Sequence, residues 1–460
     1  MTSGLIDTPP KTRAPRRRRR WLRRLAIGAG AGALLVTAAG VGVVLRLTGN
    51  VRHIDVASEL DATRPPKVAM TAVNVLIVGS DQREGKNARY GRHIEGERTD
   101  TIMLAHLSSR RDGAVVISFP RDSVVQLPGC RPREGHPGQQ PHTGMINESF
   151  NNGGIACTWK TIETLTGIHI DHFVKVDFSG FKSMVDAVGG VEVCLAERVD
   201  DEKARLHLPA GRQTLDGEQA LGYVRARYSF GDGSDIGRIQ RQQMFIASML
   251  KKVMNADPAH LLGFLDAGTR AVTTDPGLTV GVMKDLAESL QGLDRGRIRF
   301  ITTPWRYSVT QPGRVEWEQP QADRLFRTIA KDARLGGVRG GRTRVPRSKV
   351  ALDVRNGTTR AGAAAEVAAA LEQRGYQVTR VGDTPRKPHR KSKILYGPAG
   401  EKRVPTLTRD VRRAAARAMP DARTARLMLI VGDDWRGLRP PDPAEAAKGI
   451  DATHDSCTAP

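Results

Sequence analysis

The sequence predicts an α/β protein: a mixed, largely antiparallel central sheet flanked by helices, a smaller α/β domain after it, and one transmembrane helix in front. Three observations predict this. Short apolar runs bounded by glycine and polar residues read as strands, and they intermingle with amphipathic helical stretches within one region. A Gly/Arg-rich connector at 331–347 separates that region from a second strand–helix–strand pattern. A single uncharged stretch, LAIGAGAGALLVTAAGVGVVL, covers Leu25 to Leu45.

The chain has 460 residues, which suggests about three domain-sized units. Hydrophobic residues make up 39%, too many for a wholly disordered chain. Only one stretch is long enough to span a bilayer, which excludes a multi-pass channel or transporter. Aromatics at 5% argue against binding of single strands by base stacking. The net charge of +23 calls for an anionic partner, whether nucleic acid, lipid or a cell-wall polymer.

The N-terminus narrows that choice. Arg16 to Arg20 are consecutive arginines, followed by Arg23 and Arg24. Next to an apolar stretch of roughly 20 residues, basic charge is retained in the cytoplasm. The expectation is a cytoplasmic tail at 1–24, a signal anchor at 25–47 and a linker at 48–70, with the bulk of the chain outside the plasma membrane. A cleaved signal peptide is the alternative. Export favours phosphate-rich polymers and lipid diphosphates over a chromosome, so no nucleic-acid partner is expected. Export also places Cys130, Cys157, Cys194 and Cys457 where disulfides persist. Cys130 and Cys157 bracket a Gly/Pro/His-rich loop and form a candidate disulfide, although four cysteines allow three pairings.

Within 71–330, strands are expected at Val73–Val78, Thr101–Leu107, Ala114–Phe119, Phe173–Phe178, Ala220–Tyr228 and Ile298–Thr302. Helices are expected at Trp159–Leu165, Phe181–Val188 and Arg238–Val253. In 348–438, strands are expected at Val350–Arg355, Gln377–Val381 and Leu427–Val431, with a helix at Ala361–Gln373. Residues 439–460 read as a disordered tail.

Polar residues cluster at strand ends. Asp81 and Arg83 follow the first strand, Arg98 and Asp100 border the second, and Arg121 and Asp122 follow the third. In an antiparallel meander these ends meet at one edge. Paired carboxylates there suit Mg²⁺ (or Mn²⁺) held partly through water and substrate phosphates, unless they are turn residues in surface salt bridges. Read as a strand, YVRARY places Arg225 and Arg227 on one face. Arg238, Arg241 and Gln242 share a helix face bordering the apolar stripe. Converging arginines beside apolar structure need counter-charge. Either they bind a diphosphate, or they form an internal network with Asp216, Glu218, Asp232 and Asp235. There is no G-x-S-x-G, P-loop or H-E-x-x-H motif, so Ser80, His93, His142 and His169 read as turn or surface residues. Arginines and a metal without a protein nucleophile point to phosphoryl transfer to an external hydroxyl.

NVLIVGSDQR, ERTDTIML, SFPRD and YVRARYSFGDGSDIGRIQRQQ, in this order, closely resemble the LytR-CpsA-Psr family of cell-wall assembly proteins, over about 70–257. Residues 348–435 resemble its C-terminal LytR domain, and the Arg/Ala-rich composition looks actinobacterial. The resemblance implies a transferase that moves a glycopolymer from a polyprenyl-pyrophosphate carrier onto a peptidoglycan sugar hydroxyl, with Mg²⁺. It implies Asp81 and Asp100 as metal ligands. Arg83, Arg98, Arg121, Arg225, Arg227, Arg238, Arg241 and Gln242 would grip the pyrophosphate, and Arg121, Arg225, Arg227 and Asp235 would act in catalysis. Glu95 and Glu97 flank Arg98 where members often add a basic residue, with Arg89 or Arg92 as compensation. The alternatives are a membrane-bound transcriptional attenuator, a non-catalytic binder of anionic wall polymer, and a pyrophosphate hydrolase using the same site.

Overall fold

The computed structural model describes residues 40–42, 44–60, 64–81, 99–133, 135–226, 235–335, 345, 347–372, 374–385, 388–422, 424–439 and 450–451. The chain divides into two compact units. One holds residues 1–317, 330–332 and 450–460, and the other 318–329 and 333–449.

The first unit is built on one sheet whose centre is an antiparallel meander of β1 (Val73–Ser80), β2 (Thr99–Leu107) and β3 (Ala114–Phe119). β1 alternates half-buried and buried residues along its length, as a strand packed on both faces to different depths does. Helix α1 (Glu148–Thr166) leads into β4 (His172–Val176), which lies parallel to β1. Helices α2 (Phe178–Ala187), α3 (Gly217–Arg225), α4 (Asp235–Met254) and α5 (Pro258–Ala271) follow. β5 (Val272–Thr274) then pairs antiparallel with β4, and β6 (Ile298–Thr302) parallel with β3. The sheet is therefore mixed, with antiparallel pairs at its centre and parallel pairs on either side.

Two stretches expected to lie outside the fold join this sheet. Arg52–His53, in the stretch read as a linker, pairs with β5. Ile450–Asp451, in the stretch read as a tail, pairs with β6. Each satisfies backbone groups at a sheet edge that would otherwise stay open.

A further correction concerns Ala220–Tyr228, expected as a strand. Gly217–Arg225 is helical because Asp216 and Gln219 form a reciprocal capping box, with the Asp216 carboxylate accepting the Gln219 amide at 2.8 Å. Arg225 therefore ends a helix and is not on a strand face, while Arg227 lies outside the described residues. Helix α1 also starts well before Trp159, and Gly154 kinks it at φ +61°, a conformation that favours glycine. The Cys130–Cys157 disulfide forms, with Cα atoms 5.7 Å apart, and ties the 130s loop to α1.

The second unit contains a five-stranded sheet. β7 (Ala351–Asn356) lies between β8 (Gln377–Asp383) and β11 (Leu427–Val431), parallel to both, and α6 (Ala363–Glu372) links β7 to β8. β9 (Lys393–Tyr396) and the edge strand β10 (Ala415–Ala418) complete it. Leu352, Val354, Leu371, Leu407 and Leu429 are fully buried in its core.

No helix among the described residues is long and apolar enough to cross a membrane, and most of Leu25–Leu45 lies outside them.

Candidate active site

The meander assembles the site. Gly79 faces Thr101 and Ser80 faces Thr99, so a bulge leaves Asp100 as the extra residue of β2. Bulges re-aim the extra side chain, and this one is held by the Thr99 hydroxyl, which donates to Gly79 O at 2.8 Å. Asp81 follows β1 directly. Phe119 pairs with Ile102, so Arg121 and Asp122 emerge at the same end of the sheet.

Arg121 is the hub. Its Nη1 donates to Asp100 Oδ1, and its Nε lies 3.4 Å from Asp235 Oδ1 and 3.5 Å from Asp122 Oδ1. That Nε is buried and has no hydrogen-bond partner among the described residues. Asp235, the first residue of α4, also accepts from Arg238 Nη2. Arg225 rests on the face of Phe178, with Cζ 4.5 Å from the ring centroid, a cation–π contact that steadies the guanidinium.

The electrostatics confirm one cluster. Burial pushes the Asp100 carboxyl up, but Arg238, Arg121 and Arg225 outweigh it and hold Asp100 below the usual carboxylate range. For Arg121, burial opposes the charge, and Asp100, Asp235 and Asp122 more than restore it. Arg121, Arg225, Arg238, Asp100 and Asp235 thus share one field.

The carboxylates of the alternative, purely structural network are mostly engaged elsewhere. Asp216 caps α3 and Glu218 pairs with Lys182 at 3.2 Å, which leaves Asp235 among the arginines. Asp232 lies outside the described residues, as do Arg83 and Arg98. Arg238, Arg241 and Gln242 are all buried, as their position beside the apolar stripe requires. Arg241 Nη2 donates to Ala226 O, and Gln242 Nε2 to Val224 O at 3.2 Å. These two side chains hold the carboxyl end of α3, which carries Arg225.

Two residues escaped the sequence reading. Gln243 is fully buried, and its Nε2 donates to Ser118 Oγ at 3.0 Å and Thr302 Oγ1 at 3.2 Å. It ties α4 to the two strands flanking the site, and a polar residue within an apolar helical stripe was the signal. Asn147 donates its backbone N–H to Arg121 O at 3.4 Å, and its buried side-chain oxygen has no partner among the described residues. No sequence signal singled it out.

Among the described residues no three His, Cys, Asp or Glu side chains converge on one metal position. Asp81 and Asp100 supply hard oxygen donors at one sheet end. That set fits Mg²⁺, which binds through one or two carboxylates and completes its shell with water and phosphate oxygens.

The model of the LytR_cpsA_psr family matches residues 45–331. The chain belongs to the LytR-CpsA-Psr family. Residues 349–435 match a second model, described as LytR cell envelope-related transcriptional attenuator. The cell wall biosynthesis protein LcpA of Corynebacterium glutamicum is 31% identical over 364 residues, 70% of this chain and 69% of the relative. The probable cell wall biosynthesis protein LcpB of the same organism is 38% identical over 325 residues, 67% of this chain and 74% of the relative. TagT of Bacillus subtilis, a polyisoprenyl-teichoic acid–peptidoglycan teichoic acid transferase, is 30% identical over 251 residues, 52% of this chain and 71% of the relative. Membership makes this chain an enzyme, a transferase of the LytR-CpsA-Psr type.

Proposed function

We propose that this protein transfers a glycopolymer from a polyprenyl-pyrophosphate carrier to a sugar hydroxyl of peptidoglycan, on the outer side of the plasma membrane to which its N-terminal helix anchors it. The observation that carries this reading is the convergence of Arg121, Arg225 and Arg238 on Asp100 and Asp235 at one sheet end, with a buried Arg121 donor that has no hydrogen-bond partner among the described residues. Guanidinium groups match phosphate oxygens in geometry and charge, and a diphosphate is the anion best suited to several of them.

The acceptor hydroxyl oxygen forms a bond to the phosphorus that carries the glycopolymer. The bridging P–O bond breaks, and polyprenyl phosphate leaves with the electron pair. Asp235, between Arg121 and Arg238, takes up the hydroxyl proton. Asp100, kept ionised by Arg238, Arg121 and Arg225, is a fixed negative charge that holds these guanidinium groups at the site. Asp81 and Asp100 would hold Mg²⁺, which supplies charge neutralisation on the diphosphate. Arg241 and Gln242 act by fixing the end of α3 and hence Arg225.

The test uses the purified protein with a synthetic polyprenyl-pyrophosphate glycolipid, a peptidoglycan fragment and Mg²⁺, with mass spectrometry of the products. A phosphodiester-linked product that disappears with Arg225→Ala and with Asp81→Ala is the expected result. Release of free phosphorylated glycan without coupling would establish hydrolysis instead. Tight donor binding without any product would make the protein a binder.

A further inference from the structure

The chain leaving β6 builds a hairpin at the reactive end of the sheet. β6 lies parallel to β3 with Thr302 opposite Ser118, and Thr303 prolongs the pairing by donating its N–H to Ser118 O at 3.0 Å. Arg121 follows Ser118 by three residues and Trp305 follows Thr302 by three, so both leave the sheet at the same end. Trp305–Tyr307 then pairs antiparallel with Val315–Trp317. The return strand is tied to the residues beside Arg121. Val315 donates its N–H to Asp122 O at 3.3 Å and bridges Ser123. From the other side of this segment the start of α1 bonds to it, with Asn147 N–H on Arg121 O and Ile146 N–H on Ser123 O at 2.9 Å. Residues 121–123 thus lie between the hairpin and α1.

Strand alternation sorts the hairpin into two faces. On one, Arg306 and Glu316 stand directly opposite and form an ion pair at 2.9 Å, and Ser308 Oγ donates to Glu316 Oε1 at 2.7 Å. The other face is apolar, with Trp305 opposite Trp317 and Tyr307 opposite Val315. Its inner strand is closed: Val315 is buried, and the Trp317 ring lies 5.7 Å from that of Phe119. Its outer strand is open. Trp305 is half-buried, Tyr307 is 60% exposed, and Val309 in the turn is 84% exposed. The Trp305 and Tyr307 rings meet edge to face, with centroids 5.1 Å apart and planes at 81°. Such a contact steadies both rings while occupying the face of only one of them.

We propose that Trp305 and Tyr307 form a stacking platform for a pyranose ring of a substrate glycan, set beside the arginine cluster. This rests on the transferase reading above. In that reaction the diphosphate gripped by the arginines carries a sugar directly, and the accepting sugar must approach the same phosphorus. A sugar ring therefore comes within reach of the hairpin from either substrate. A pyranose packs its C–H face on an aromatic ring and keeps hydroxyl groups at its edge, which need acceptors. Acceptors stand there: Asp122 next to Val315, and across the same segment Asn147, whose side-chain oxygen has no partner among the described residues. A prenyl chain has no hydrogen-bonding edge and would leave both unmatched.

The experiment uses the full purified chain. A peptidoglycan tetrasaccharide is titrated calorimetrically without donor, and transfer kinetics with the synthetic glycolipid give separate KM values for acceptor and donor. Tyr307→Ser removes an exposed ring and should weaken one carbohydrate substrate by about 2- to 10-fold, as loss of an aromatic contact does, with kcat little changed. Tyr307→Phe keeps the ring and should match the parent. Val309→Ser removes exposed apolar surface without a ring and should match it too. A raised acceptor KM with weaker tetrasaccharide binding assigns the platform to peptidoglycan, and a raised donor KM alone assigns it to the carried polymer. Unchanged constants for Tyr307→Ser in an enzyme that transfers normally overturn the platform and leave the transferase reading intact. Tetrasaccharide binding that needs Tyr307, in a protein that forms no coupled product, keeps the platform and overturns that reading. Equal losses in Tyr307→Ser and Val309→Ser, together with weaker binding to phosphatidylglycerol vesicles, overturn the platform in favour of a membrane contact.

Discussion

Gln243 offers a direct test of how the arginine helix is held. Replacing it with Leu keeps the volume and removes the amide that donates to Ser118 Oγ and Thr302 Oγ1. Gln243, Ser118 and Thr302 are all buried, so neither hydroxyl can turn to bulk water. Each lost hydrogen bond costs about 1 kcal/mol net, and a hydroxyl left without a partner costs more, so the expected loss is about 2–4 kcal/mol. At about 2–4 °C per kcal/mol for a unit of this size, thermal unfolding should fall by roughly 4–16 °C. The effect should extend to activity. Gln243 sets the rotation of α4 against β3 and β6, and α4 carries Asp235 and Arg238. Turnover should drop with KM for the donor little changed, because the remaining guanidiniums still bind the diphosphate while the reacting geometry loosens. Differential scanning fluorimetry together with steady-state transfer kinetics reads both quantities. A variant that melts within about 1 °C of the parent and turns over normally would refute the argument that these two hydrogen bonds position the helix.

Two other predictions follow from the same packing. Replacing both Cys130 and Cys157 with Ser opens a loop of 27 residues, and the chain-entropy relation gives a loss of about 3–4 kcal/mol, read as a lower denaturant midpoint. In the second unit, Asp410 accepts two hydrogen bonds from Arg347, at 2.6 and 2.9 Å, and one from Tyr376 at 2.7 Å. Burial pushes the Asp410 carboxyl up, but Arg347 and Tyr376 hold it below its ordinary value of 3.8. Its stabilisation is therefore fully present above pH 3.8 and is lost as pH falls through the lower folded value. Asp410→Asn should cost about 3–5 kcal/mol at neutral pH and should flatten the acid limb of the unit's stability curve, measured by circular dichroism.

Much of the site was legible along the chain because its chemistry sits next to strong strand signals. VNVLIV, TIMLAHL and AVVISF are apolar runs ended by charged residues, and a meander is the simplest way to pair them. Asp81, Asp100 and Arg121 then meet by topology alone. The helix at Arg238–Val253 was equally clear, although it begins at Asp235, which was read as part of the preceding loop, and the buried positions of Arg238, Arg241 and Gln242 followed from its stripe. The Ala220–Tyr228 stretch misled because Tyr223 and Val224 favour strands, while the deciding signal, Asp216 with Gln219, lies just upstream. Helix α3 carries Arg225 to the site at its last turn.

What the sequence determined by itself was local or periodic. It set the α/β class, the strand ends rich in Asp and Arg, and the apolar stretch that precedes them. Tertiary structure decided which polar groups serve one another. It turned Arg241 and Gln242 to the carbonyls of α3, bulged Asp100 toward Arg121, placed Gln243 between two strands, and brought Arg46 to Asp266 across 220 residues of sequence. The physical reason is that hydrogen bonds and ion pairs act over a few ångströms, and only the folded chain fixes which distant residues come that near.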